Sequence, residues 1–214
     1  VNVIELLESA TLFEERVEKS LLLLDIDDTL LQAQGMYIYR KLPTDKQEVK
    51  LTPKQYAKEK VTPETRQCYD YRDFRNAEKV ASSIKTGLPI IPNLKIMDDY
   101  IKQGWRVGIL TARGMEDIIF KSMRAWLMFR DKKGDLKKIG DKLVRNLVHA
   151  INDDDKHYPG DTDFDRKANV IKGLSKKFNR IIFIDDDLKN VKAVKGLKIP
   201  GVMVKLVPKP ERSK

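Results

Sequence analysis

Three aspartates, Asp25, Asp27 and Asp28, close the stretch LLLLDIDDTL and are followed at once by Thr29. Carboxylates this near one another repel and raise each other's pKa unless a cation or a proton is shared among them. A hard divalent cation such as Mg²⁺ resolves the conflict, because it prefers oxygen ligands and keeps waters that a substrate phosphate can replace. A polar turn that caps the next helix accounts for the same residues without any chemistry. The four leucines ahead of the acids are too few to span a bilayer and suit a strand buried on both faces of a parallel sheet. Ligands of open α/β sheets sit in the crevice beyond the strand ends, which is where these acids stand.

Other groups of the same kind recur further along. Thr111, Ala112 and Arg113 follow an apolar strand expected over 106–110, and Asp185, Asp186 and Asp187 follow a fully apolar one expected over 180–184. A helix expected over 166–178 carries Lys167 near its start and Lys172 further on, and Lys189 lies just past the last acids. Strands alternating with helices imply a mostly parallel sheet whose strand ends open onto one edge, so these groups converge there.

The elements that must position them read as follows. Ile4, Leu7, Leu12, Phe13 and Val17 among glutamates predict an amphipathic helix over 1–19. Residues 36–41 and 48–51 predict a hairpin, and Thr52-Pro53 a helix start with threonine as cap. The run YDYRDFR at 69–75 mixes aromatics, aspartates and arginines, which suits a substrate lid or a packed polar junction equally. Helices are expected from Asn93 to the stop at Gly104, over 115–130 and over 188–197, with strands over 146–151 and 202–207. The charged stretch 131–145 reads as partly helical, 152–165 as a polar loop, and KPERSK as an exposed tail. The fold class is thus α/β, a Rossmann-like, mostly parallel sheet flanked by helices. Residues 1–30 and 93–214 form its core, and 31–92 a small cap insertion of a hairpin plus helices.

DIDDTL at 25–30, ILTAR at 109–113, the lysine of DRKANVIKGL and IIFIDDD at 181–187 together resemble the four motifs of the haloacid dehalogenase (HAD) superfamily of phosphohydrolases. More narrowly, the chain is similar to uncharacterised HAD hydrolases of large bacteriophages and some bacteria. The resemblance implies Mg²⁺-dependent hydrolysis of a phosphomonoester. Asp25 is then the nucleophile, forming an aspartyl-phosphate that splits one hard displacement into two. Asp27 protonates the leaving oxygen and later deprotonates the water. Thr111 bonds a phosphoryl oxygen, and Lys167, or failing that Lys172, ties nucleophile to phosphate. The implied metal ligands are Asp25, the carbonyl of Asp27, and Asp186 helped by Asp185. Asp28 and Asp187 read as caps or supporting acceptors, and Arg113 as a phosphate clamp or the partner of a neighbouring acid.

The chain has 214 residues, a formal net charge of +10 and one cysteine, Cys68. A lone cysteine forms no internal disulfide, and with only His149 and His157 as partners an idle thiol is the simplest reading. An acidic N-terminal stretch and the lack of a long apolar run predict a cytoplasmic protein with no membrane partner. The basic charge suits either anionic partners or a solvated lysine-rich surface. In the cap, Tyr71 and Phe74 offer stacking faces and Arg72 a phosphate contact, so a nucleotide or a nucleic-acid phosphate end is the expected substrate. A sugar phosphate is the rival. A binding protein on a catalytically idle scaffold would not need all of these site residues, and a phospho-receiver places its acid pair first instead of last.

Overall fold

The computed structural model describes residues 19–56, 58–130 and 135–208; all but the last residue of the helix expected over 1–19, and the KPERSK tail, lie outside them. Strand β1 (Ser20–Leu24) runs into a turn whose Ile26 carbonyl accepts from the N–H groups of Thr29, Leu30 and Leu31. Next come β2 (Leu31–Gln32), β3 (Ile38–Arg40), β4 (Val49–Leu51), α1 (Pro53–Tyr56), α2 (Pro63–Arg66) and β5 (Tyr69–Asp70). A 3-10 turn (Arg72–Arg75), α3 (Ala77–Lys85) and β6 (Leu88–Pro89) complete this stretch. The chain continues through α4 (Ile91–Lys102), β7 (Arg106–Thr111), α5 (Glu116–Trp126), β8 (Met128–Arg130), β9 (Leu136–Lys138) and β10 (Leu143–Ala150). It ends with α6 (Asp163–Leu174), β11 (Arg180–Asp185), α7 (Leu188–Gly196) and β12 (Val202–Leu206).

Five strands form one parallel sheet in the order β10-β7-β1-β11-β12, flanked by helices. Because β1 is central, its alternate leucines enter two different cores. Leu22 and Leu24 join Val107, Ile109 and Ile184 on the face covered by α3, α4 and α5; Leu21 and Leu23 join Ile181 and Phe183 on the face covered by α6 and α7. All four leucines are fully buried, and each contributes roughly 1.5–3 kcal/mol relative to exposure. That two-sided burial explains why the run does not alternate with polar residues. The chain builds outward from β1 to β7 and β10 on one side and to β11 and β12 on the other. The crevice at that reversal lies beyond the ends of β1 and β11.

Small antiparallel sheets follow β1. β2 pairs with β6, so the segment leaves and rejoins the core through one short ribbon. β3 pairs with β4 as the expected hairpin, and β5 adds a third strand that the sequence pattern did not announce. Thr52 caps α1 through a reciprocal pair of bonds with Gln55. The 69–75 run is a packed polar junction: buried Asp73 accepts from the Tyr37 amide at 3.0 Å and the Tyr39 hydroxyl at 3.3 Å, and the Tyr71 and Tyr56 hydroxyls meet at 2.6 Å.

Three sequence expectations need correction. The helix expected over 115–130 stops at Trp126, and β8 follows. The Leu127 carbonyl accepts from the Ile139 and Gly140 amides, so the returning chain captures the helix end. Gly140 permits that approach, since a Cβ there would lie 1.9 Å from the Arg124 carbonyl oxygen. The stretch expected to be partly helical over 131–145 instead gives β9, a 3-10 turn (Gly140–Lys142) and the start of β10; its 131–134 portion lies outside the described residues. Helix α6 also starts three residues early, because Thr162 caps it by accepting from the Asp165 amide. No helix among the described residues is long and apolar enough to cross a membrane.

Candidate active site

The parallel register brings the two acid-bearing strands to the same level. Leu24 pairs with Ile184, and the Asp25 amide donates to the Ile184 carbonyl at 3.0 Å, so Asp25 and Asp185 emerge side by side. Lys167, on α6, reaches up from beneath and donates to Asp25 Oδ1 at 3.0 Å and Asp185 Oδ2 at 2.8 Å. All three side chains are buried, Lys167 to 1% exposure. Lys172 and Lys189 are exposed. Asp185 is held further by the Asn190 amide group at 2.9 Å and the Asp187 N–H at 2.8 Å.

One ammonium between two buried carboxylates leaves a negative charge uncompensated. Burial pushes the Asp25 carboxyl up, Lys167 pulls it back, and Asp185 and Asp27 push it up again, leaving it at about 8. Burial opposes the charged form of Lys167, but Asp25 and Asp185 together outweigh it and hold the pKa above the ordinary lysine value. Half-buried Asp186 stands beside them and accepts from the Thr29 hydroxyl at 3.3 Å. Carboxylate oxygens of Asp25, Asp185 and Asp186 all lie within 4.8 Å of one another, an all-oxygen donor set that could hold a hard metal ion. A divalent cation there supplies the charge that a proton on Asp25 otherwise must.

Asp27 points elsewhere. Both its oxygens take the Arg113 guanidinium, from Nε at 2.8 Å and Nη2 at 2.7 Å, so of the two roles open to Arg113 the ion pair is the one formed. Burial works against the charge on Arg113, and Asp27 more than restores it. Thr111 is buried at the end of β7, its hydroxyl oxygen accepting the Arg113 amide at 3.3 Å. Asp28 adopts a left-handed φ of 54° in the turn after β1, and its amide donates to the Leu31 carbonyl. The chain then enters β2, so DIDD is not the cap of a following helix. Asp187 is a cap, accepting the Lys189 amide at 2.8 Å ahead of α7.

A groove of about 1220 Å³ adjoins this edge and includes Arg113 in its lining. Arg66, Tyr71, Phe74 and Arg75 form one wall, and the 151–163 loop faces them. Arg72 is not among the lining residues; its guanidinium lies over the Tyr39 ring and pairs with Glu48 and Asp70. Carboxylates outnumber cations in the lining, so the net basic charge of the chain resides elsewhere. Buried Glu116 anchors the loop through Tyr158 at 2.6 Å and Lys156, and accepts from Arg145 of β10 at 3.0 Å. These three donors hold its pKa down against the burial that would raise it.

Comparison with known proteins adds nothing to this geometry: no family model matches the chain, and no curated protein does either. Four supporting residues had no role assigned in the sequence reading. Thr29 and Asn190 each followed an acid motif closely enough to be suspected. Asn93, whose amide donates to the Thr29 carbonyl at 2.7 Å, and Ser83, which accepts from Arg113, carry no local signal.

Proposed function

We propose that the protein is a Mg²⁺-dependent phosphomonoester hydrolase of the HAD type, with Asp25 as nucleophile. The observation that carries this reading is the buried Lys167 bridging Asp25 and Asp185, with Asp186 beside them, at the end of the two central strands. An idle scaffold has no use for so costly an arrangement, since an ammonium and carboxylates lose several kcal/mol each on leaving water. Asp25, Asp185 and Asp186 fit a hard cation, which when bound neutralises charge on the phosphoryl oxygens. Asp25 attacks the phosphorus and the ester oxygen departs, giving an aspartyl-phosphate that water then cleaves. Lys167 fixes the Asp25 oxygen and offsets incoming charge, and the Thr111 hydroxyl hydrogen is free to meet a phosphoryl oxygen, because the Arg113 amide uses only its lone pair. Asp27 serves the leaving oxygen and then the water.

The substrate is a nucleotide or a nucleic-acid phosphate end. The Tyr71 and Phe74 rings border the groove, and Arg66 and Arg75 line it as exposed cations without an ion pair among the described residues. A second reading, a sugar phosphate, is favoured by the carboxylates of the facing wall, which accept from hydroxyl groups. The test is phosphate release from a mononucleotide, a 3′-phosphorylated oligonucleotide and a sugar phosphate, with and without Mg²⁺, in wild type and Asp25→Asn. Mg²⁺-dependent release that Asp25→Asn lowers by several orders of magnitude is expected. Near-wild-type turnover by Asp25→Asn refutes the mechanism, and a preference for the sugar phosphate selects the second reading.

A further inference from the structure

Asp27 stands on a turn and its side chain is 45% exposed, yet the leaving-group role requires one orientation. The geometry points to Ser83, a residue of the insert, as the group that sets it. This inference rests on the hydrolase reading above. Arg113 is buried, with two of its N–H groups on Asp27 and a third, from Nη1, on Ser83 Oγ at 2.9 Å. Ser83 is 1% exposed and donates its own proton to the Val80 carbonyl at 2.8 Å. Its hydrogen therefore points away, and its lone pairs are left for the guanidinium. A planar guanidinium gripped on one edge by a carboxylate and at the far nitrogen by a fixed hydroxyl has no rotation left about its terminal bonds. Without Ser83, the Nη1 group would have to turn to find another acceptor, and the fork on Asp27 would turn with it.

Ser83 is thus a positioning residue that acts through Arg113, and the chain of contacts joins three parts of the fold. It runs from α3 to the loop after β7 and on to the turn after β1. Docking of the insert against the core then completes the leaving-group side of the site, while Asp25, Lys167 and Asp185 assemble without it.

The experiment compares Ser83→Ala with wild type on two esters, an alkyl phosphate whose alkoxide needs a proton to leave and a p-nitrophenyl phosphate whose phenolate does not. Turnover of the alkyl ester should fall about tenfold or more with KM little changed, a fraction of what a positioned acid supplies. Release of p-nitrophenolate in the first turnover, before any water is activated, should hold within about twofold. In parallel, the Arg113 Nε–H resonance, followed by NMR in both proteins, should exchange faster with solvent in Ser83→Ala while the remaining spectrum shows the native fold. Equal losses on the two esters, or unchanged Nε–H exchange, overturn the role of Ser83 alone. A wild-type protein that releases phosphate neither from these esters nor from the nucleotide and sugar substrates above overturns the hydrolase reading, and this proposal with it.

Discussion

Replacing Lys167 with methionine keeps the volume of the side chain and removes its charge. Asp25 and Asp185 each lose a hydrogen bond, at 3.0 and 2.8 Å, in a place where neither carboxylate reaches bulk water easily. Asp185 keeps Asn190 and the Asp187 amide, whereas no other hydrogen bond to the Asp25 carboxylate is found among the described residues. Breaking a buried pair from one side costs about 3–5 kcal/mol because a charge is left uncompensated. With about 2–4 °C per kcal/mol in a chain of this size, melting in EDTA should drop by roughly 6–20 °C. Mg²⁺ should narrow the gap, since oxygens relieved of the ammonium bind the cation more tightly in the variant; tenfold tighter binding at saturating metal recovers about 1.4 kcal/mol. The assay is thermal denaturation by circular dichroism, with EDTA and then with rising Mg²⁺. A Lys167→Met protein that melts within a degree or two of wild type in EDTA would show that the ammonium is not what neutralises these acids.

Three further outcomes follow from the same structure. Without metal, Asp25 sits near pH 8 when folded and at the ordinary aspartate value when unfolded, so between those values the folded protein holds one more proton. Its contribution to stability is therefore full below about pH 4 and is lost by about 1.4 kcal/mol per unit as pH rises toward 8. Mg²⁺ must displace that proton, so calorimetry near pH 6.5 in buffers of different ionisation enthalpy should show proton release approaching one per metal, absent in Asp25→Asn; binding without release refutes the assignment. Gly108, on β7 between β1 and β10, leaves no room for a side chain: a Cβ would lie 2.3 Å from the Leu147 carbonyl oxygen and 2.9 Å from Leu23 Cδ2. Gly108→Ala should cost about 1–3 kcal/mol in urea unfolding, and a change below about 0.5 kcal/mol would mean that β10 moves aside freely.

What could be read from the sequence, and what could not, separates by distance along the chain. The strands were legible because a strand buried on both faces needs an uninterrupted apolar run, and 21–24, 106–110 and 180–184 supply it locally. The acids were legible because they follow those runs directly, and a parallel sheet sends all its strand ends one way. The helix end at Trp126 was not legible. It depends on the Leu127 carbonyl meeting amides that arrive after a hairpin, and on a glycine whose purpose appears only once two segments touch. The Asp27 side of the site was the least legible of all. Arg113 lies 86 residues from Asp27, and Ser83 another 30 from Arg113, in a helix whose outward appearance is ordinary. Lys167 is farther still from Asp25, at 142 residues, yet it was found, because DRKANVIKGL resembles the lysine motif of a known family. A serine in the middle of a helix carries no such motif. A hydroxyl there most often donates back to its own helix, as Ser83 does to Val80, and only what its oxygen accepts reveals what else it holds.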